Sequence, residues 1–251
     1  MRIAFFDSGI GGLTVLKQAV AALPNEEYIY YADTRNVPYG VKPKEEVRAC
    51  ILGAAEFLAG LQIDALVVAC NTATSVAIGE LRGRYAFPII GMEPAVKPAL
   101  ARNAGKKVLV FATSLTLRES KLETLLSTLD KSHQVDRREL DGLVAFAEAF
   151  EFDTPLVRDY LQTKLGAVDW GSYGAVVLGC THFIFYRALI QERAGRDVHV
   201  IDGNAGTVNR LVSLVGDRRA AAPRPAPGIA FFSSGEPDGP ARVAQLQALL
   251  A

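Results

Sequence analysis

Two segments of the chain follow one pattern: Asp64-Ala-Leu-Val-Val-Ala-Cys70-Asn71-Thr72 and Gly174-Ala-Val-Val-Leu-Gly-Cys180-Thr181-His182. Each is a short β-branched apolar run, the kind buried on both faces of a parallel sheet, and each stops on a cysteine followed by small hydrogen-bonding residues. Ligands of open α/β sheets bind beyond the carboxyl ends of the strands, so both thiols fall where chemistry is expected. The pattern constrains the chain to a repeated α/β architecture in which each half contributes one sulfur to a shared site.

The repeat extends beyond the cysteines. Arg2-Ile-Ala-Phe-Phe-Asp7-Ser8-Gly9 matches Lys107-Val-Leu-Val-Phe-Ala-Thr113-Ser114, and Phe87-Pro-Ile-Ile-Gly-Met-Glu93-Pro94 matches Val198-His-Val-Ile-Asp202-Gly203-Asn204. Helical patterns alternate with these strands over Leu13–Leu23, Pro43–Gly60, Thr74–Arg84, Leu117–Leu129, Pro155–Leu165 and Thr207–Val215. Strands alternating with helices of this length imply parallel sheets wrapped by helices. The expected fold class is α/β: two similar parallel-sheet domains related by a pseudo-two-fold duplication, with the active site in the cleft between them. The first domain is placed at residues 1–97 plus 208–251 and the second at 98–207. Gly216–Gly228, with three prolines, reads as a linker, after which Ile229-Ala-Phe-Phe-Ser-Ser and a helix from about Pro240 to Leu250 return to the first domain.

Bulk properties narrow the partner. Lys+Arg and Asp+Glu both number 27, so no global positive field recruits nucleic acid or an anionic membrane. No segment approaches the ~20 apolar residues of a spanning helix, and Asp7 interrupts the one apolar N-terminal run. The expectation is a cytoplasmic protein acting on a small molecule, needing neither nucleic acid nor membrane, with a homodimer left open. Three cysteines make no disulfide framework. Cys50 lies inside a helical pattern and reads as a small buried hydrophobe.

Two opposed thiols have a specific use. A free cysteine titrates near 8.5, so a thiolate on one face of a carbon and a thiol on the other can remove and return a proton from opposite sides, inverting a stereocentre. Asn71 and Thr72 after one cysteine, and Thr181 and His182 after the other, offer donors for a carboxylate at helix N-termini, and His182 stands where it can poise Cys180. Asp7 and Ser8 offer an acceptor for an ammonium group. Carboxylate and ammonium on one carbon describe an amino acid.

Asp7-Ser8-Gly9-Ile10-Gly11-Gly12, Asp33 with Pro38-Tyr39-Gly40, Ala69-Cys70-Asn71-Thr72-Ala73, Glu93-Pro94 and Gly179-Cys180-Thr181-His182 together resemble the glutamate racemases of the aspartate/glutamate racemase superfamily. The resemblance covers nearly the whole chain in order. It implies cofactor-independent interconversion of L- and D-glutamate, supplying D-glutamate for peptidoglycan, with Cys70 the base toward D-glutamate and Cys180 toward L-glutamate. It further implies substrate contacts from Asp7, Ser8, Tyr39, Gly40, Asn71, Thr72, Thr113, Thr116, Thr181 and His182, with Glu148 as a carboxylate supporting His182. The chain departs from the family in two places. Phe183-Ile184 stands where members commonly have Tyr-Pro, which bears on how the next helix starts, and Glu139-Leu-Asp141-Gly142 replaces a usual Cys-Pro.

Other readings compete. A lone strand-end cysteine is more often structural than catalytic, but two at matching positions reverse those odds. A metal site is not expected, because Cys180-Thr-His182 lacks metal-pair spacing and His133 and His199 have no motif linking them to it. Gly9-Ile-Gly11-Gly12-Leu-Thr14 falls short of a dinucleotide fingerprint, and Asp7 would oppose a pyrophosphate. That turn is expected to aim backbone amides at a substrate carboxylate. Arg218, Arg219 and Arg224 read as a solvated loop. The alternatives carried forward are racemisation of aspartate or another amino acid, and a non-catalytic racemase-like binding protein.

Overall fold

Strand β1 (Arg2–Asp7) is buried from its second residue onward and β3 (Ala65–Val68) along its whole length. Runs of this kind pair on both edges without exposing an apolar face, and the two lie side by side inside a six-stranded sheet. The computed structural model describes residues 1–130, 133–215 and 228–250. From β1 the chain passes through α1 (Leu13–Ala22), β2 (Glu27–Ala32), α2 (Lys44–Gly60), β3, α3 (Asn71–Arg84), β4 (Ile89–Gly91) and α4 (Val96–Leu100). A second run follows: β5 (Lys107–Ala112), α5 (Ser114–Arg118), α6 (Ser120–Leu129), β6 (Val135–Glu139), α7 (Gly142–Glu148), α8 (Pro155–Leu165), β7 (Tyr173–Leu178), α9 (Arg187–Ala194) and β8 (His199–Asp202). The chain returns through α10 (Asn204–Val215), β9 (Ile229–Ser233), β10 (Glu236–Pro237) and α11 (Pro240–Leu250).

The sheets have the orders β10-β9-β2-β1-β3-β4 and β6-β5-β7-β8, parallel throughout except for the β9–β10 pair. Within them, β2-β1-β3-β4 and β6-β5-β7-β8 share one strand order. The three strand pairs read from the sequence occupy corresponding places in it. A fourth pair, β2 with β6, escapes that reading because β6 is a charged edge strand, Val-Asp-Arg-Arg-Glu, without an apolar run. Parallel sheets present all their carboxyl ends on one side, and here the two sheets turn those ends toward each other, so that a first lobe and a second lobe meet over a narrow cleft. Among the described residues, no helix is long and apolar enough to cross a membrane.

Several helix boundaries differ from expectation, and the differences fall at the cleft. α3 starts at Asn71 rather than Thr74 because the Cys70 sulfur caps it, accepting the Ala73 N–H at 3.4 Å. The single helix expected over Leu117–Leu129 is two helices, α5 and α6, broken at Glu119, whose backbone is extended (φ −76°, ψ 136°). After Cys180, residues Thr181–Tyr186 form a 3-10 helix and α9 begins only at Arg187. β9 lies parallel to β2, and α11 packs on α1. The expected linker, including Arg218, Arg219 and Arg224, lies outside the described residues over 216–227.

Candidate active site

Four strand ends build the cleft. β1 delivers Asp7 and Ser8, β3 delivers Cys70, β5 delivers Thr113 and β7 delivers Cys180. Both sulfurs are nearly enclosed, at 5% exposure for Cys70 and 6% for Cys180. Asp7, Ser8, Asn71, Thr72, Thr113, Thr116, Thr181 and His182 are buried around them. A concentration of buried polar groups at one interface is the opposite of ordinary core composition and marks a functional site.

Around the thiols, hydrogen bonds cross the cleft at three places. Thr181 Oγ1 donates to Asp7 Oδ2 at 3.0 Å, and the Ile10 N–H donates to Glu148 Oε1 at 2.7 Å. The hydroxyls of Thr72, from the first lobe, and of Thr113 and Thr116, from the second, bond mutually at 2.9 to 3.1 Å. Glycines permit this approach. A Cβ on Gly11 would lie 2.5 Å from Thr181 Oγ1 and 2.7 Å from the His182 backbone nitrogen, and one on Gly40 would lie 2.5 Å from Thr113 Cβ. One on Gly9 would collide with the Glu148 carboxylate.

The two thiols sit in opposite electrical surroundings. Burial, the Asp7 carboxylate and the Cys180 sulfur push the Cys70 thiol up to about 12, outweighing the Ala73 N–H and the Ser8 hydroxyl 3.8 Å away. That mutual influence places the two sulfurs within electrostatic reach of each other. His182 stands beside Cys180, its Nδ1 3.8 Å from the sulfur and its Nε2 2.7 Å from Glu148 Oε1. Burial alone would lower the histidine, but the Cys180 sulfur, Glu148 and Asp7 together raise it well above its ordinary value. Burial likewise opposes ionisation of Glu148, and its bond to His182, the histidine charge and the Ile10 amide reverse the effect and lower it. Charged His182 thus faces one thiol and Asp7 the other.

Asp7 itself is pushed up to about 6, chiefly by burial, against the pull of His182, the Gly9 N–H and the Thr181 hydroxyl. Its folded value exceeds the unfolded one, so its contribution to stability is full below about pH 4 and is lost as pH rises through about 6. The shift from 3.8 to about 6 corresponds to about 3 kcal/mol. Asp7→Asn, which keeps an acceptor for Gly9, should therefore gain stability relative to the parent between pH 4 and 7. Urea unfolding of both proteins across that range checks this, and a constant difference would show that Asp7 stays ionised.

The other expected site residues fall as follows. Asn71 gives its amide hydrogen to the Met92 carbonyl at 3.2 Å, leaving a buried Oδ1 without a partner. It thus presents an acceptor, and its amide keeps a second hydrogen for the expected donor role. The amides of the Gly9–Gly12 turn were expected to face a substrate carboxylate, but Gly9 N–H binds Asp7 Oδ1 at 2.8 Å and Ile10 N–H binds Glu148, because both carboxylates are built into the turn. Tyr39 is buried, and its hydroxyl donates to Asp33 Oδ2 at 2.6 Å. Asp33 also receives Asn36 and Ser234, so it anchors the loop that carries Gly40 and is not arranged to hold a ribose. Cys50 is half-buried on α2. The sequence reading missed Asp33 as an anchor and the Lys44–Glu119 ion pair (2.7 Å) between the lobes. The Glu119 break gives no signal in the helical pattern.

Two α/β lobes that close on a pair of strand-end thiols have the architecture of a racemase. The Asp/Glu/Hydantoin racemase family profile matches residues 11–211. The chain is 52% identical over 239 residues to a glutamate racemase of Halothermothrix orenii, covering 95% of this chain and 94% of that one. Among solved structures it is similar to the Francisella tularensis glutamate racemase in complex with D-glutamate (25% identity, 99% and 92% coverage, TM-score 0.83). The Escherichia coli enzyme in complex with L-glutamate and an activator, UDP-MurNAc-Ala, is equally similar (26%, 99% and 94%, 0.83). The chain belongs to the Asp/Glu/Hydantoin racemase family.

Proposed function

We propose that the protein interconverts L- and D-glutamate by proton transfer at Cα between Cys70 and Cys180, in the cytoplasm and in supply of D-glutamate for peptidoglycan. The observation that carries this reading is the burial of one thiol from each lobe at facing strand ends, with His182 beside one and Asp7 beside the other. Relatives named for glutamate racemisation, at up to 52% identity, support the choice of substrate.

In this reading Cys180 takes the Cα proton of L-glutamate, the electron pair passes into the α-carboxylate, and Cys70, held as a thiol, returns a proton on the opposite face. D-glutamate results, with Cys180 protonated and Cys70 ionised. The reverse reaction exchanges the two roles. The ammonium group finds acceptors in Asp7 and the unpartnered Asn71 Oδ1. The negative charge that develops is met by the hydroxyls of Thr72, Thr113 and Thr116, which exchange bonds among themselves for bonds to carboxylate oxygens. Glu148 keeps His182 charged and oriented.

Incubation with L-glutamate in deuterium oxide, without added cofactor, tests the proposal. D-glutamate labelled at Cα should accumulate to an equal mixture. Turnover of aspartate but not of glutamate would move the assignment to another substrate of the same chemistry, and no turnover of any amino acid would leave a binding protein.

A second measurement concerns Glu148. Glu148→Gln removes the charge that holds His182 protonated and should lower kcat by about 10²-fold, the scale of a positioned acid–base group. The alkaline limb of the pH–rate profile, where charged His182 is lost, should also move to lower pH. A pH profile unchanged in shape would reduce Glu148 to a packing role.

A further inference from the structure

Lys44 stands against local helix preference, because it opens α2 and places a cation at the positive end of the helix dipole. Glu119 precedes α6 with an extended backbone, and its side chain makes no bond to the first turn. Its carboxylate reaches across the cleft, and Lys44 Nζ lies 2.7 Å from Glu119 Oε2. The Glu119 side chain is 6% exposed and that of Lys44 47%. A carboxylate buried to this degree needs a partner, and the cation that meets it comes from the other lobe, at a helix position where it is locally unfavourable.

It joins the two lobes at the rim of the thiol chamber. Lys44 follows the Tyr39–Val41 turn, whose Gly40 presses on Thr113, and Glu119 lies three residues beyond Thr116 of the hydroxyl triad. α5 packs against both that turn and α3. Lys42 pairs with Glu46 within its own lobe, while Lys121 pairs with Glu93 across the lobes, a second ion pair whose carboxylate is far more exposed than Glu119. Behind the pair lie two sulfurs that are nearly enclosed, at 5% exposure for Cys70 and 6% for Cys180.

We propose that Lys44–Glu119 is the latch of this cleft: a positioning pair that parts to admit an anionic amino acid to Cys70 and Cys180 and reforms to enclose it. The proposal rests on the proposed function only for the identity of what passes through. The pair is half in solvent, so salt and substitution should both loosen it.

Alkylation of the free enzyme by iodoacetamide, followed at each cysteine by mass spectrometry, reads the opening without turnover. Lys44→Ala should raise the rates at Cys70 and Cys180 about fivefold or more. Cys50 and the melting temperature, which report general loosening, should not change. Raising NaCl from 0.05 to 0.5 M should accelerate the parent more than Lys44→Ala, which keeps only the Lys121–Glu93 pair, and the swap Lys44→Glu with Glu119→Lys should restore protection. Unchanged rates at Cys70 and Cys180 in Lys44→Ala, or a parallel rise at Cys50, would overturn the latch. Loss of the glutamate assignment would leave these rates as they are, so the two readings fail separately.

Discussion

In deuterium oxide, Cys180→Ser is expected to lose net conversion of glutamate in both directions by about 10³-fold, while D-glutamate continues to exchange its Cα hydrogen for deuterium without inverting. Cys70→Ser should show the mirror result, exchange on L-glutamate alone. A serine hydroxyl is far too weak an acid to exchange protons with a carbon centre at neutral pH, so one face falls silent while the other still abstracts and returns. Asymmetry of this kind distinguishes two bases from one, because a single base serving both faces would lose exchange on both enantiomers together. Chiral chromatography with mass detection at Cα reads each outcome. A variant that keeps turnover within tenfold of the parent would rule out the two-thiol mechanism. The surroundings of the thiols add a further expectation: Cys70, pushed up to about 12 in the unliganded form, rests as the proton donor.

The second large effect comes from a residue with no chemistry of its own. Gly11→Ala would place a methyl group 2.5 Å from Thr181 Oγ1 and 2.7 Å from the His182 backbone nitrogen. The nearest obstacle on the second lobe includes main chain, which has no rotamer by which to move aside, so the lobes must separate by several tenths of an ångström or more. Separation stretches the Thr181–Asp7 bond and retracts Cys180 from its reacting distance. Displacements approaching 1 Å cost about 10²-fold in rate, and that loss in kcat is expected here with the melting temperature shifted by only a few degrees. Unaltered kcat in a folded Gly11→Ala protein would mean that chemistry does not need this closure.

Much of the fold is legible in the sequence because buried parallel strands announce themselves as β-branched runs, and Cys70 and Cys180 are legible because they end two such runs. β6 is not, since an edge strand can be charged on both faces. The break at Glu119 is not legible either. Leu117, Leu122, Leu125, Leu126 and Leu129 run through it, and the partner that Glu119 meets at the break is a lysine 75 positions earlier. The direction of hydrogen bonding is equally hidden. Asn71 and the Gly9–Gly12 turn read as donors to a ligand, and only the three-dimensional partners, Met92, Asp7 and Glu148, show that one hydrogen of the Asn71 amide and the N–H groups of Gly9 and Ile10 are already engaged.

The three threonine hydroxyls carry one more consequence. They satisfy one another, so a carboxylate that takes them must first break bonds they already share. Affinity for substrate is thereby held down without weakening any contact made in the transition state. An enzyme built this way saturates late and releases its product readily, which suits a reaction whose two sides are mirror images and whose direction is set by whatever removes the product.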